Sequence, residues 1–312
     1  MRAMAVSGLV DRWRRLMDSD LYYSFRRSPV TVGAAVVTAI FILSAVFAPL
    51  IAPHDPYDLT TLSLLDAFAP PVWHEDGTWD FILGTDDQGR GMLSAIIYGA
   101  RLSLWVGTVS VLFSGILGVA LGLISGYVGG RTDAVIMRIA EVQLTFPAIL
   151  VALLIDGVLR GILPVFMLEE LAIYVVIVSL GISGWPQYAR TVRASTIVET
   201  SKEYVQAATL TGIRPSMIML RHVLPNVMGP VLVIATIHLA IAIINEATLS
   251  FLGVGIPVTE PSLGTLIRVG NNFLFSGEWW IAVFPGTTLA ILVIAVNLLG
   301  DWMRDAFNPK LR

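Results

Sequence analysis

Six apolar stretches, separated by polar, acidic or basic segments, set the character of this chain. They lie near Val30–Ala52, Leu102–Ser125, Ile139–Leu159, Leu171–Tyr188, Met228–Leu252 and Ile281–Met303. A helix needs about 20 apolar residues to cross a hydrocarbon core of about 30 Å. The pattern therefore predicts an all-α membrane protein with six transmembrane helices. The third stretch carries Glu141, Gln143 and Pro147 and is the least hydrophobic. The fourth is short, and Gly181, Gly184 and Pro186 blur its inner boundary. Pro147 and Pro186 permit kinks of the kind found in helices that line a path. The first stretch is longer than the apolar core of a signal peptide and no Ala-x-Ala site closes it, so a retained anchor is expected.

Between the fourth and fifth stretches lies a polar, Ala-rich segment, Glu203-Tyr-Val-Gln-Ala-Ala-Thr-Leu-Thr-Gly212. Thr200 followed three residues later by Glu203 has the spacing of a capping box. Gly212 supplies a left-handed stop, and Pro215 discourages direct continuation. A second short helical run is expected from Ser216 to Leu224-Pro225-Asn226. A helix of about 11 residues is marginal alone in water. One that gathers Tyr204, Ala207, Ala208 and Thr211 on a face is expected to dock, either on a partner or back on its own protein.

Of the 312 residues, 55% are hydrophobic and 14% charged, against about a quarter charged in soluble domains. The chain has no cysteine, and its four histidines, His54, His74, His222 and His238, lack the helical spacing of a zinc pair. No metal site is expected. Its two lysines, Lys202 and Lys310, follow Ser201 and Pro309, so no phosphate-binding Gly-Lys loop exists. There is no Gly-x-Ser-x-Gly elbow either. Gly300-Asp301 lacks the partner an intramembrane aspartyl protease would need. The chain is not expected to be an enzyme.

Charge distribution sets the orientation. With the N-terminus inside, sixteen of the 20 basic residues fall in cytoplasmic pieces, and only Arg90, Arg101, Arg160 and Arg268 lie outside. That asymmetry follows the positive-inside rule. The organisation expected is a cytoplasmic segment 1–29, a first transmembrane helix 30–52 and an external loop 53–101. A five-helix core 102–303 follows, with a cytoplasmic loop 189–227 inside it and a cytoplasmic tail 304–312.

Polar residues at membrane depth are costly and face an interior or a water-filled cavity. Glu246, beside Asn245, is the clearest: it lines a pathway or gate, or it bonds another helix. The structural role is favoured, since ion-coupled transporters carry more intramembrane charge. Gly115, Gly118 and Gly122 have small-x-x-x-small spacing, which suits close helix packing. Trp279-Trp280 reads as a bilayer anchor or as part of an external docking surface.

Together these motifs resemble a known family, the binding-protein-dependent ABC importer permeases, and within it the C-type subunit of dipeptide/oligopeptide systems. The cytoplasmic signature reads Glu203, Ala207-Ala208, Gly212, Ile218 and Leu224-Pro225-Asn226. Trp185, Tyr188-Ala189-Arg190 and Arg193 precede it, and Arg221-His222-Val223 lies within it. Further blocks are Leu83-Gly-Thr-Asp86 with Gly89-Arg90-Gly91, Phe146-Pro147, Glu246-Ala-Thr-Leu-Ser-Phe-Leu-Gly253, and Asn297-Leu-Leu-Gly-Asp301 with Arg304 and Pro309. The chain departs from the family pattern at Gly91, Ala95, Leu263 and Asn308.

The resemblance implies a multi-pass subunit in a bacterial inner membrane. It implies that Glu203, Tyr204, Ala207, Ala208, Leu210 and Gly212 form a coupling helix for a cytoplasmic ATPase, supported by Arg190, Arg193, Arg221, His222 and Pro225. Glu246, Asn245 and Pro147 are candidate pathway or gate residues. The implied partners are a homologous B-type permease, two ABC ATPase subunits that hold ATP and magnesium, an external solute-binding protein, a peptide substrate and membrane lipid. No cofactor is expected on this chain, and no nucleic acid. Nickel chelates, glutathione and sugars use similar permeases and are alternative cargoes. An ion-coupled secondary transporter is a rival of another class.

Overall fold

A computed structural model describes residues 20–306 apart from 57, 59, 61, 165, 166 and 261. Most of the 1–29 segment, with Arg2, Arg12, Arg14 and Arg15, lies outside the described residues, as do Asn308, Pro309, Lys310 and Arg312. The described residues form an almost wholly helical bundle. After a short α1 (Asp20–Arg27), Ser28 caps α2 (Pro29–Val46) by accepting the Thr31 amide, with Pro29 at the first helical position. One more turn, α3 (Ala48–Ile51), ends the first span. A loop of turns and one 3-10 turn leads to α4 (Met92–Val128). Its 37 residues rise about 55 Å at about 1.5 Å each, well beyond a hydrocarbon core. The helix begins ten residues before the expected Leu102, so the loop is shorter than its apolar pattern suggested.

Gly129 and Gly130, both at positive φ, turn the chain sharply into α5 (Gly130–Leu144). The expected single third span is broken. α5 and α6 (Ala148–Ile162) meet at Pro147 with a bend of 98°. A proline cannot donate its missing amide into a continuing helix, and the residue before it is pushed out of helical geometry. Among the described residues, five helices are long and apolar enough to cross a membrane, or six if the bent pair is one span.

α7 (Leu168–Thr200) runs on well past Tyr188, followed by the short α8 (Glu203–Leu210). The second short helix does not close at Leu224-Pro225-Asn226. Instead α9 (Pro215–Ile218) passes through a π-helical turn at Met219–Val223 into α10 (Leu224–Phe251). Pro225 sits in the first turn of α10, where its absent amide costs nothing. α11 (Leu263–Phe273) starts at a true capping box, Ser262 with Thr265, and α12 (Trp280–Ala306) closes the bundle.

The tightest seam joins α4 to α7, which run parallel. Three glycines, Gly118, Gly122 and Gly126, let the backbones touch. A methyl group at Gly122 would lie 2.7 Å from the Ala189 carbonyl oxygen, and one at Gly126 would lie 2.7 Å from Thr196 Cβ. The expected Gly115 stands apart from this stripe, where an added methyl would meet only Tyr188 at an ordinary 3.9 Å, and Gly126 takes its place one turn further on. α10 runs antiparallel to α4. The α8 end and the loop at residues 53–91 are thereby held at opposite ends of the bundle.

Candidate functional site

At the α8 end, a small helix is locked on one side and bare on the other. Lys202, rather than Thr200, is the N-cap of α8 and makes no side-chain cap; Thr200 ends α7, its hydroxyl turned back to Ile197. Val205 and Ala208 are 2% and 7% exposed and pack with Ile218, Val223 and Val227. Ala208 is thus part of the protein's own core, not of a free docking face. Tyr204, 39% exposed, ties three elements together. Its hydroxyl donates to Glu199 on α7 and accepts from Asn226 Nδ2 of α10 at 2.8 Å. Partial burial and then the Glu199 contact hold its phenol above the ordinary value.

What remains bare is Glu203, Ala207, Leu210 and Gly212. Leu210 is 89% exposed, an unusual position for a leucine at the tip of a well-packed turn. Gly212 has φ +78° with open space around it, the left-handed stop that its sequence position predicts. Arg193 joins α7 to α5 through paired bonds to Asp133, 2.5 and 2.6 Å, while Ser125 of α4 donates to the same carboxylate. Arg190 and Arg221 are exposed, and the His222 carbonyl accepts from Asn226 at 2.8 Å.

Two further polar nodes lie within the bundle. Glu246 is wholly buried. It accepts from Ser103 Oγ of α4 at 2.6 Å and from Ser250 Oγ at 2.9 Å. Ser103 in turn accepts the Leu263 amide at the start of α11, and Ser250 accepts the Ile256 amide. The carboxylate thus clasps α4, α10 and α11, with every oxygen occupied. Asn245, one residue earlier, lines a small cavity with Ser110, Ser114, Gln187 and His238.

Pro147 stands at the break between α5 and α6, and Gln143 just before it forms a latch that sequence reasoning missed. Pro186 in α7 has no amide for the Ile182 carbonyl four residues back; Gln143 Nε2 supplies the donor at 2.7 Å. Trp185 Nε1 closes the set by donating to Gln143 Oε1 at 3.0 Å.

Asp156 was also missed. It is a second buried acid, paired with Arg160 at 2.6 Å, whose guanidinium also donates to the Gly255 carbonyl. The i, i+4 Asp-Arg spacing was its sequence signal.

At the loop end, Asp86 and Arg90 form a buried pair at 2.6 Å, and Arg90 reaches the Val258 carbonyl. The Gly91 amide donates to His54 Nε2 at 2.9 Å. Burial keeps His54 below the ordinary histidine value, which favours the neutral acceptor this bond needs. Trp280 is buried and donates to the Thr85 carbonyl at 3.0 Å, so only Trp279 of the tryptophan pair is available at a surface.

Known proteins place this arrangement. A family model described as "Binding-protein-dependent transport system inner membrane component" matches residues 118–312, and one for the "N-terminal TM domain of oligopeptide transport permease C" matches residues 10–71. The chain is 37% identical over 293 residues to the di/tripeptide transport system permease protein DppC of Pseudomonas aeruginosa, covering 94% of this chain and 92% of that protein. It is 34% identical over 293 residues to the oligopeptide transport system permease protein OppC of Bacillus subtilis, covering 94% and 90%. Among solved structures it is similar to a chain of the inward-facing MetNI methionine ABC transporter, with a TM-score of 0.55 and 20% identity over 70% of this chain and 98% of that one. At that identity the likeness speaks for the fold.

Proposed function

The chain belongs to the binding-protein-dependent transport system inner membrane components, and from that premise we propose that it is the C-type permease subunit of an ATP-driven importer of di- and oligopeptides. It is a multi-pass inner-membrane permease whose ATPase activity resides in partner subunits. The peptide cargo rests on chain-long similarity to permeases named for di-, tri- and oligopeptides. The proposed assembly pairs this chain with a homologous B-type permease, two ATPase subunits and an external binding protein. The α8 end faces the cytoplasm and the loop at residues 53–91 faces out.

One observation carries the coupling role. α8 has a buried face that welds it to α7 and α10 and a bare face at Ala207, Leu210 and Gly212. A helix so fixed transmits force instead of yielding. When ATP draws the ATPase subunits together, a push on the bare face passes through Val205, Ala208 and Tyr204 into α7 and α10. The membrane helices then rock as rigid bodies. Arg193–Asp133 and the Gln143 latch carry α5 along with α7.

The test separates the two faces. Leu210→Arg removes no internal contact, so the thermal midpoint should stay within a degree or two, about 0.5 kcal/mol of stability. Binding-protein-stimulated ATP hydrolysis and peptide uptake by the reconstituted complex should fall at least tenfold. Unaltered uptake by this variant would remove the coupling role from α8. Ala208→Arg is the wrong probe, since it strikes the protein's own core.

A further inference from the structure

A cavity of about 40 Å³ lies among α4, α6, α7 and α10 near the middle of the bundle, lined by Ser110, Ser114, Ser183, Gln187, His238 and Asn245 together with apolar neighbours. We propose that this cavity is a contact point on the translocation path, where Ser110, His238 and Asn245 take one backbone amide group of a passing peptide. The inference rests on the reading of the protein as a peptide importer and adds where its own half of the path runs.

The chemistry of the wall is unfinished in a specific way. Ser110 is 1% exposed, yet its hydroxyl has no partner among the described residues. Ser114 Oγ is committed as a donor to the Gly181 carbonyl at 2.8 Å, leaving its lone pairs open. His238 Nε2 lies 2.6 Å from Gln187 Oε1. An amide oxygen only accepts, so Nε2 carries the proton and the neutral ring keeps Nδ1 as an acceptor. That nitrogen turns toward Gly184, where an added methyl would sit 3.7 Å away and 2.6 Å from Ser114 Oγ. The ring itself is held edge-on against Tyr188. The residues lining the cavity thus include an unpartnered hydroxyl and a fixed ring acceptor, which is the complement of a peptide group's C=O and N–H.

Size selects the same ligand. The space admits a water molecule or the polar atoms of one amide, not a side chain. A site that reads only the backbone tolerates any sequence, as an importer of varied peptides requires. The contact must also be weak, because a pathway site has to release what it holds.

Position supplies the third support. The rim residues Gln187, Ala148 and Ile241 are exposed on the chain's own surface. An exposed glutamine amide in mid-bundle is costly against hydrocarbon and is expected on a face turned to water or protein. Gln187 follows Pro186 within α7, and Ala148 follows Pro147 at the bend of the α5–α6 pair. Rocking of these helices changes the cavity's shape.

The experiment uses the complete transporter in liposomes, with radiolabelled trialanine delivered by its binding protein. Ser110→Ala removes a hydroxyl that has no partner among the described residues, so the melting midpoint should be unchanged. Uptake per ATP hydrolysed should fall about three- to tenfold, the worth of one hydrogen bond. This chain contains no cysteine, so Ser110→Cys gives a single thiol in it. That thiol should react with a small water-soluble thiol reagent during turnover, and trialanine should protect it. Full uptake by Ser110→Ala, or a Ser110→Cys thiol inert in every nucleotide state, overturns the proposal. If the unsubstituted transporter hydrolyses ATP on binding-protein engagement but accumulates no peptide, the cargo reading fails instead.

Discussion

Two polar nodes share the α4–α10 seam, eight residues and about 12 Å apart along α10. Each pairs an ionisable residue of α10 with serines of α4: Glu246 with Ser103, His238 beside Ser110 and Ser114. Yet they are built to opposite ends. Around Glu246 every group is matched, and the carboxylate reaches through Ser103 and Ser250 to backbone amides of the following loop and α11. Around His238 the set is left open, with a lone hydroxyl, a free ring acceptor and a cavity. A buried polar group in a membrane protein is therefore not evidence of a pathway by its type. The distinction lies in whether its hydrogen bonds close within the protein. A closed node joins helices, whereas an open one waits for a ligand.

The contrast can be broken most forcefully at its closed member. Glu246→Ala strands the Ser103 and Ser250 hydroxyls and opens a void, and should cost about 3 kcal/mol or more. Thermal unfolding of the detergent-solubilised complex measures this. Glu246→Gln keeps the shape and an acceptor oxygen and should regain more than half of the loss. An unchanged midpoint for Glu246→Ala would abolish the difference between the nodes.

The Gln143 latch belongs with the closed class. Gln143→Leu leaves the Ile182 carbonyl and the Trp185 indole without partners, and should cost about 1–3 kcal/mol. The same melting measurement applies, and hydrogen exchange should rise around Pro186 before it rises elsewhere.

The subtlest comparison sets one residue type against itself on one helix. Ser103→Ala should cost about 1 kcal/mol, because Glu246 and the Leu263 amide both lose a partner. Ser110→Ala should lie within about 0.5 kcal/mol of the parent. Equal melting shifts for the two alanines would show that both nodes are structural.

Much of this was legible along the chain. The apolar stretches, Gly212 as a left-handed stop, and the polar, Ala-rich signature between two membrane segments all follow from local chemistry. So does the bias of arginines, which needs no fold to count. The glycine spacing on α4 was visible too, but its register was off by one member: only the approach of Ala189, Val192 and Thr196 shows that Gly126 is used and Gly115 is not. The capping box was placed at Thr200 because the spacing fitted. In the structure Thr200 is the last residue of α7, its hydroxyl turned back to Ile197, so it closes one helix instead of opening the next. Likewise Leu-Pro-Asn read as a stop, although a proline in a first turn interrupts nothing.

Hydropathy and charge bias are properties of single segments in contact with lipid or water, and the sequence alone was enough to determine them. Which face of α8 is bare, which acid is satisfied, and where Gln143 spends its amide depend on groups up to 143 residues apart in the chain. No local pattern records such distances. Hydrogen bonds saturate over about 3 Å, so only the tertiary arrangement could decide which polar groups are finished and which remain open.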